Sequence, residues 1–219
     1  MNQLRAALAP FISLTDSEWA ALAPQLHRRQ LRAEEWLLAP GQVCQEISFV
    51  SQGLLRTCYQ RPDQAEVNFL FHFPRTFVTD YESVLLREPA RLGIQALAPT
   101  QVLALPVALL PTLYEDVRWQ RFGRLMAEQI YLAARRRAEE LLFLTPTQRY
   151  EKLLHEQPDW LRELPLRHLA SYLGVQPESL SRIRQRLTQP APVGGANRGH
   201  AFPEANTCGG PAFLNQRQG

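Results

Sequence analysis

Between Pro165 and Leu187 the apolar residues fall at positions that two short helices crossing at a tight turn bury together. Leu166, Leu169, Ala170 and Leu173 recur at the i, i+3, i+4, i+7 spacing of one helical face, and Pro165 suits a first helical position, where its missing N–H costs nothing. Gly174 then sits where a helix end needs a left-handed residue, and Pro177 opens a second helix whose inward face is Leu180, Ile183 and Leu187. Ala170 is small enough to let the two helices approach, and Val175, Leu180 and Ile183 fill the wedge between them.

The remaining side chains of the second helix are polar. Gln176, Glu178, Ser179, Ser181, Arg182, Gln185 and Arg186 occupy its first turn and outward face, the part of a helix-turn-helix that meets base edges and phosphates in a DNA major groove. Arg182 can bond guanine through two parallel hydrogen bonds, and Glu178 can accept one from a cytosine amino group. A plain αα-hairpin with a solvated face accounts for helix, glycine and helix alone. Small residue, glycine and three plugs in one register favour the DNA-binding reading.

Charge is distributed to match. Residues 1 to 116 carry 9 Arg against 12 Asp or Glu, whereas residues 117 to 187 carry 13 Lys or Arg against 8 acids. The basic half is the one that holds the helix pair, as contact with a phosphate backbone requires. Cys44, Cys58 and Cys208 are scattered, without the pairing that a zinc site or a disulfide framework needs. The sequence therefore implies no cofactor and no metal. It shows neither a signal-length apolar run at its start nor a membrane-length one elsewhere, so a soluble cytoplasmic protein is expected.

Before the helical half, the pattern is different. Thr15 and Glu18 form a T-x-x-E capping box, with Leu14 and Trp19 spaced as a hydrophobic staple, which starts a short helix running to about Leu26. From His27 the chain turns to period two. ISFVS, LLRTCY, EVNFLF and TQVLALP are strand-like runs separated by Pro40-Gly41, Gln52-Gly53 and the segment Arg61 to Ala65. Several short strands with tight turns predict an antiparallel barrel or jelly roll.

After Pro111 helical periodicity returns for about 30 residues, a rod of roughly 45 Å. Glu115 and Asp116 stand at its start, where the helix dipole favours negative charge. Trp119, Phe122, Met126, Ile130, Ala133 and Leu141 form one stripe, and Leu125 and Leu132 a neighbouring one. Two apolar sides fit packing on the barrel and pairing with a second copy of the chain, although Gln129, Arg136 and Arg137 interrupt a clean heptad. Thr145, Pro146 and Gln148 make a second capping box that opens the next helix, and Pro158 ends it. The expected organisation is a β-roll sensor over residues 1–110, a connecting and dimerisation helix over 111–144, a DNA-binding unit over 145–187 and a disordered tail over 188–219. That tail holds 6 of the 11 glycines and no periodicity.

In this order, the strand-rich half, the long helix and the C-terminal helix pair resemble the Crp/Fnr family of bacterial transcription regulators over roughly residues 10 to 187. The most specific stretches are SYLGVQPESLSRIRQRL and FVTDYESVLLREPARLGIQAL. The resemblance implies an α+β fold with a cyclic-nucleotide-binding-like β-roll, a dimer through the long helix, and a C-terminal winged helix-turn-helix acting at a palindromic site. Double-stranded DNA, a second copy of the chain and RNA polymerase are the implied partners, with no membrane. Glu178 and Arg182 fall on positions that read bases in cyclic-AMP-dependent members; Pro177 replaces a third, an arginine. At the effector site those members use Gly-Glu and Arg-Ser or Arg-Thr pairs, where this chain has Thr79-Asp80 and Arg91-Leu92. Cyclic AMP is therefore not expected to bind. Thr79, Asp80, Tyr81, Glu82 and Arg91 stand as the pocket for another, unidentified small ligand, or as a polar turn that merely folds.

Two other classes compete. One is a ligand sensor whose helical end engages a protein, against which stand the outward Arg182 and Arg186. The other is a jelly-roll enzyme, for which the five isolated histidines and the bare Asp80, Glu82 pair supply no ligand cluster or acid/base dyad. No catalytic residue is assigned.

Overall fold

The structure, a computed structural model, describes residues 1–63 and 65–188. Cys208, His200 and nearly all of the expected tail lie outside the described residues.

Strand alternation builds the roll. Eight strands, β1 (His27–Leu31), β2 (Trp36–Leu38), β3 (Glu46–Gln52), β4 (Leu55–Gln60), β5 (Glu66–His72), β6 (Phe77–Val78), β7 (Leu92–Ala96) and β8 (Thr100–Pro106), form two four-stranded antiparallel sheets. Their orders are β1-β8-β3-β6 and β2-β7-β4-β5. In β3 and β8, Val50 and Val102 point between the sheets, where they meet Leu31, Leu55 and Ile94. Their neighbours Phe49 and Leu103 point the other way, into a second core with Trp119 and Phe122. Gly53 is required at its turn. Its φ is +93°, and a Cβ there would lie 2.4 Å from Thr100 Oγ1.

Nine helices are described. α1 (Asn2–Leu8), α2 (Asp16–Leu22) and the long α5 (Val117–Phe143) cover the outer face of the first sheet. The Thr15 and Glu18 capping box forms as expected. Glu18 also pairs with Arg118 of α5, and that guanidinium, followed by Thr15, holds the carboxyl down at a pKa of about 2. α3 (Tyr81–Leu86) and α4 (Leu110–Leu113) are single short turns. α1 carries no capping signal and was not expected from the sequence.

The C-terminal helices are α6 (Pro146–Glu156), α7 (Pro158–Glu163), α8 (Leu166–Leu173) and α9 (Pro177–Thr188). Thr145 and Gln148 form the second capping box. Pro158, read as a stop, is also the first residue of α7: a residue without an N–H ends one helix and starts another equally well. Pro165 is the N-cap of α8 rather than its first helical residue. Gly174 adopts the left-handed conformation expected of it, φ 72°. Among the described residues no strand follows Pro106, so the wing implied by the resemblance has no counterpart there.

Candidate nucleic-acid interface and effector pocket

Helix α9 divides into two faces. Leu180 and Ile183 are buried in a core with Leu169, Ala170 and Leu173 of α8, and Val175 packs against it. Leu187, expected inward, is 40% exposed, because the helix runs past the edge of that core. On the opposite face Gln176, Glu178, Arg182, Gln185 and Arg186 are exposed. Glu178, Arg182 and Arg186 form no ion pair among the described residues. Ser179 and Ser181 are half-buried, and the Ser181 hydroxyl donates to Pro177 O, 3.1 Å away within the same helix. Of the serines and charged residues singled out from sequence, the structure brings the charged ones to the surface and leaves the two serines at its margin.

The position of α9 is fixed through α8, which lies on β5. Asn68 N–H donates to Ser171 Oγ (3.0 Å), Asn68 Nδ2 donates to His168 O (2.9 Å), and Ser171 Oγ donates to Glu66 O (3.1 Å). Beneath them Arg56 is buried and donates from Nη1 to Asn68 Oδ1 (2.8 Å) while pairing with Glu66. Arg167 at the start of α8 reaches Glu34, 3.0 Å away. Aromatic rings complete the contact: Trp160 of α7 stacks on Phe73 (centroids 5.8 Å apart) and meets Phe71 and Tyr172 edge-on (5.3 and 5.4 Å). Burial, with the charge of Arg56 adding to it, pushes His168 down to a pKa of about 4, and burial alone does the same to His72. Both imidazoles are therefore neutral near pH 7. Sequence periodicity gave no hint of this interface, because its partners lie about 100 residues apart.

The five candidate effector residues do not form one site. Asp80 is buried and caps α3, accepting from Ser83 N at 3.3 Å; burial holds its carboxyl above the usual range. Asp80, Glu82 and Arg91 do converge on one cleft, but its volume is only about 20 Å³. The segment before β3 closes over it: Cys44 N donates to Ser83 Oγ (2.9 Å), and Ser83 Oγ donates to Glu88 O (2.6 Å). Thr79 instead lines a separate, larger cavity of about 590 Å³. Tyr81 lines neither, and lies close enough to Tyr114 to raise that phenol's pKa further, after burial.

Helix α5 keeps Trp119 and Phe122 buried on the roll. Farther along, Tyr131, Leu132, Leu141, Leu142 and Phe143 are exposed, the last by 77%. Arg137, in the middle of that stretch, is buried. The cysteines Cys44 and Cys58 are buried free thiols, and burial pushes Cys58 up to about 11. Among the described residues no cluster of three or more His, Cys, Asp or Glu could hold a metal ion, and no helix is long and apolar enough to cross a membrane.

No protein-family model matches the chain, and no curated protein does. Solved structures match over most of its length. FixK2 from Bradyrhizobium japonicum is 20% identical, with 74% of this chain and 84% of that one covered and a TM-score of 0.64. A transcriptional regulator of the Crp/Fnr family from Eubacterium rectale is 13% identical, with coverages of 80% and 83% and a TM-score of 0.65. The c-di-GMP responsive global regulator CLP from Xanthomonas campestris is 17% identical, with coverages of 78% and 91% and a TM-score of 0.62. The antiparallel sheets and the long helix thus have the Crp/Fnr-like, cyclic-nucleotide-binding-like fold of these structures.

Proposed function

We propose that the chain is a sequence-specific DNA-binding regulator of transcription that acts as a dimer and is not an enzyme. The observation that carries this is α9 itself: Leu180 and Ile183 are spent in the core, while Glu178, Arg182 and Arg186 stand outward without ion-pair partners among the described residues. Charged side chains in that state are free to meet bases and phosphates. Two of the similar solved structures, one described as a transcriptional regulator of the Crp/Fnr family and one as a global regulator linked to gene expression, support the reading. Dimerisation is supported by the exposed apolar end of α5, from Tyr131 to Phe143, which a second copy of the same helix would cover.

Selection of the purified protein against a random duplex pool tests the proposal. The expected result is a palindrome with half-sites about one helical turn apart. Arg182→Ala is then expected to cost roughly 1–3 kcal/mol, about five- to 150-fold in affinity, at one base pair per half-site. An equal loss on every sequence would assign Arg182 to a phosphate. Absence of any enrichment, together with salt-insensitive binding to a protein, would overturn the DNA reading in favour of a partner-binding module.

Cyclic AMP is not the effector. A nucleotide needs a pocket of about 300 Å³ or more; the Asp80, Arg91 cleft offers about 20 Å³ with Asp80 already engaged as a helix cap, and the larger cavity beside Thr79 is lined by neither Asp80 nor Arg91. Leu92 also offers no hydroxyl beside Arg91. Calorimetric titration with cyclic AMP is expected to give no saturable heat, and micromolar affinity would refute this.

A further inference from the structure

The larger cavity has a chemistry of its own. Its inner wall is apolar, made by Leu38, Val78 and Ile94, which belong to the core between the sheets. At its mouth stands Arg29 of β1, whose Nη1 donates to Glu46 Oε2 (2.9 Å) and Leu37 O (3.3 Å). Its Nε and Nη2 have no partner among the described residues. Glu46 also has His27 beside it, with Nδ1 3.6 Å from its other oxygen. With Nη1 held by Glu46, the Nε–Nη2 edge of Arg29 is the part of the mouth left to receive an anionic group. Nε and Nη2 form the side edge of the guanidinium, two parallel donors spaced to fit a carboxylate.

A second polar group points the same way. Ser48 is only 1% exposed and, by strand alternation, shares the inward face of β3 with Glu46 and Val50. Its hydroxyl has no hydrogen-bond partner among the described residues although it lines the cavity. Facing the cavity, that hydroxyl is placed to donate to an oxygen of an occupant.

We propose that this cavity binds a small monocarboxylic acid, its carboxylate on the Nε–Nη2 edge of Arg29 and its hydrocarbon body against Leu38, Val78 and Ile94. A volume of about 590 Å³ lies within the range of small-molecule sites. The neighbouring small cleft, with Asp80, Glu82 and Glu88 around the single Arg91, repels the same ligand. The proposal rests on the roll alone and stands whether or not α9 meets DNA.

The test uses the full chain without DNA. Straight-chain acids from butanoate to decanoate, and 4-phenylbutyrate, are titrated calorimetrically, with the matching primary amides as uncharged counterparts. At least one acid is expected to saturate at one per chain and to bind at least tenfold more tightly than its amide. Arg29→Gln is expected to weaken it at least tenfold, Ser48→Leu to abolish it by filling the cavity, and Arg91→Gln to leave it unchanged. Because Ser48→Leu could disturb the core, methyl NMR of the unaltered protein supplies an independent readout: shifts are expected at Leu38, Val78 and Ile94. Failure of every acid to saturate, equal binding of acid and amide, or shifts confined to other methyls would each overturn the proposal.

Discussion

Replacing Trp160 with alanine is expected to remove about 3–5 kcal/mol of stability, the range for deleting a buried aromatic side chain. The indole is buried between elements far apart in sequence: Phe71 and Phe73 come from the roll and Tyr172 from α8. Each well-oriented aromatic pair adds about 0.5–1.5 kcal/mol beyond the area it buries. No hydrogen bond within the described residues is lost with the ring, because its buried Nε1 has no partner among them. Urea unfolding of the native chain is expected to be one transition. In Trp160→Ala it is expected to split, the helices from α6 onward melting first because the contact that joins them to β5 has gone. Trp160→Phe retains most of the ring packing and is expected to recover most of the loss. A single, unshifted transition in Trp160→Ala would show that the polar contacts of Asn68 and Ser171 suffice to hold α8 on the sheet.

Those contacts give the second sheet two different sides. On its outer side Asn68, itself held by Arg56, bonds Ser171 Oγ and His168 O of α8, and through α8 it fixes α9. On its inner side Ile94 faces the cavity between the sheets, and Thr57 bonds His72 at 2.8 Å. Arg56 and Thr57 are adjacent in β4 and point to opposite sides. The second sheet thus has the core between the sheets on one side and the mount of the outward-facing helix on the other. Arg56 keeps Gln95, Asn68 and Glu66 within the sheet whatever α8 does, whereas moving α8 leaves the Asn68 N–H and Nδ2 without Ser171 and His168.

What the sequence could disclose was local. Alternation revealed the runs that became β3, β4, β5 and β8, and the two capping boxes located the starts of α2 and α6 to the residue. Gly174 and the plugs Val175, Leu180 and Ile183 were legible because their requirements are set within a few residues of chain. The site at Thr79 to Arg91 was less so. Asp80 reads from sequence as a candidate ligand group, yet its carboxylate caps a helix too short to show periodicity. Thr79 and Asp80 are neighbours, but they line different cavities, since successive residues of extended chain face opposite ways. The mouth at Arg29 and Glu46 was invisible, because it joins β1 and β3, which only β8 between them brings together in the folded sheet. Arg137 is the plainest case. It reads as a charge that spoils a heptad, and in the structure it is a buried anchor for α8.

Arg137→Ala is accordingly expected to cost about 3 kcal/mol, the lower end of the range for removing one partner of a buried ion pair. The guanidinium is 3% exposed, lies 3.8 Å from the centroid of the Tyr172 ring, and donates to Tyr172 O. It also donates to Glu140 Oε2 at 3.2 Å. The cost stays at the lower end because Glu140 keeps Lys152, 2.8 Å away. Arg149 does a parallel task in a more exposed setting, donating to Leu173 O (2.8 Å) and Leu144 O (2.7 Å), so Arg149→Ala is expected to cost about 1–2 kcal/mol. Together the two arginines tie the last carbonyls of α8, which no helical N–H can reach, to the end of α5. Arg137→Lys keeps the charge but lacks the planar face that stacks on Tyr172, and is expected to restore less than half of the loss. A double-mutant cycle between Arg137→Ala and Tyr172→Leu measures the ring contact directly, and a coupling below about 0.5 kcal/mol would assign the stabilisation to the carbonyl and Glu140 instead. The outcome bears on function because α5 carries the exposed apolar stretch from Tyr131 to Phe143 and α8 carries the turn into α9. Whatever covers that stretch acts on a helix that Arg137 fastens to the mount of Arg182. Weakening Arg137 is therefore expected to loosen the orientation of α9 even where the DNA-facing residues are untouched.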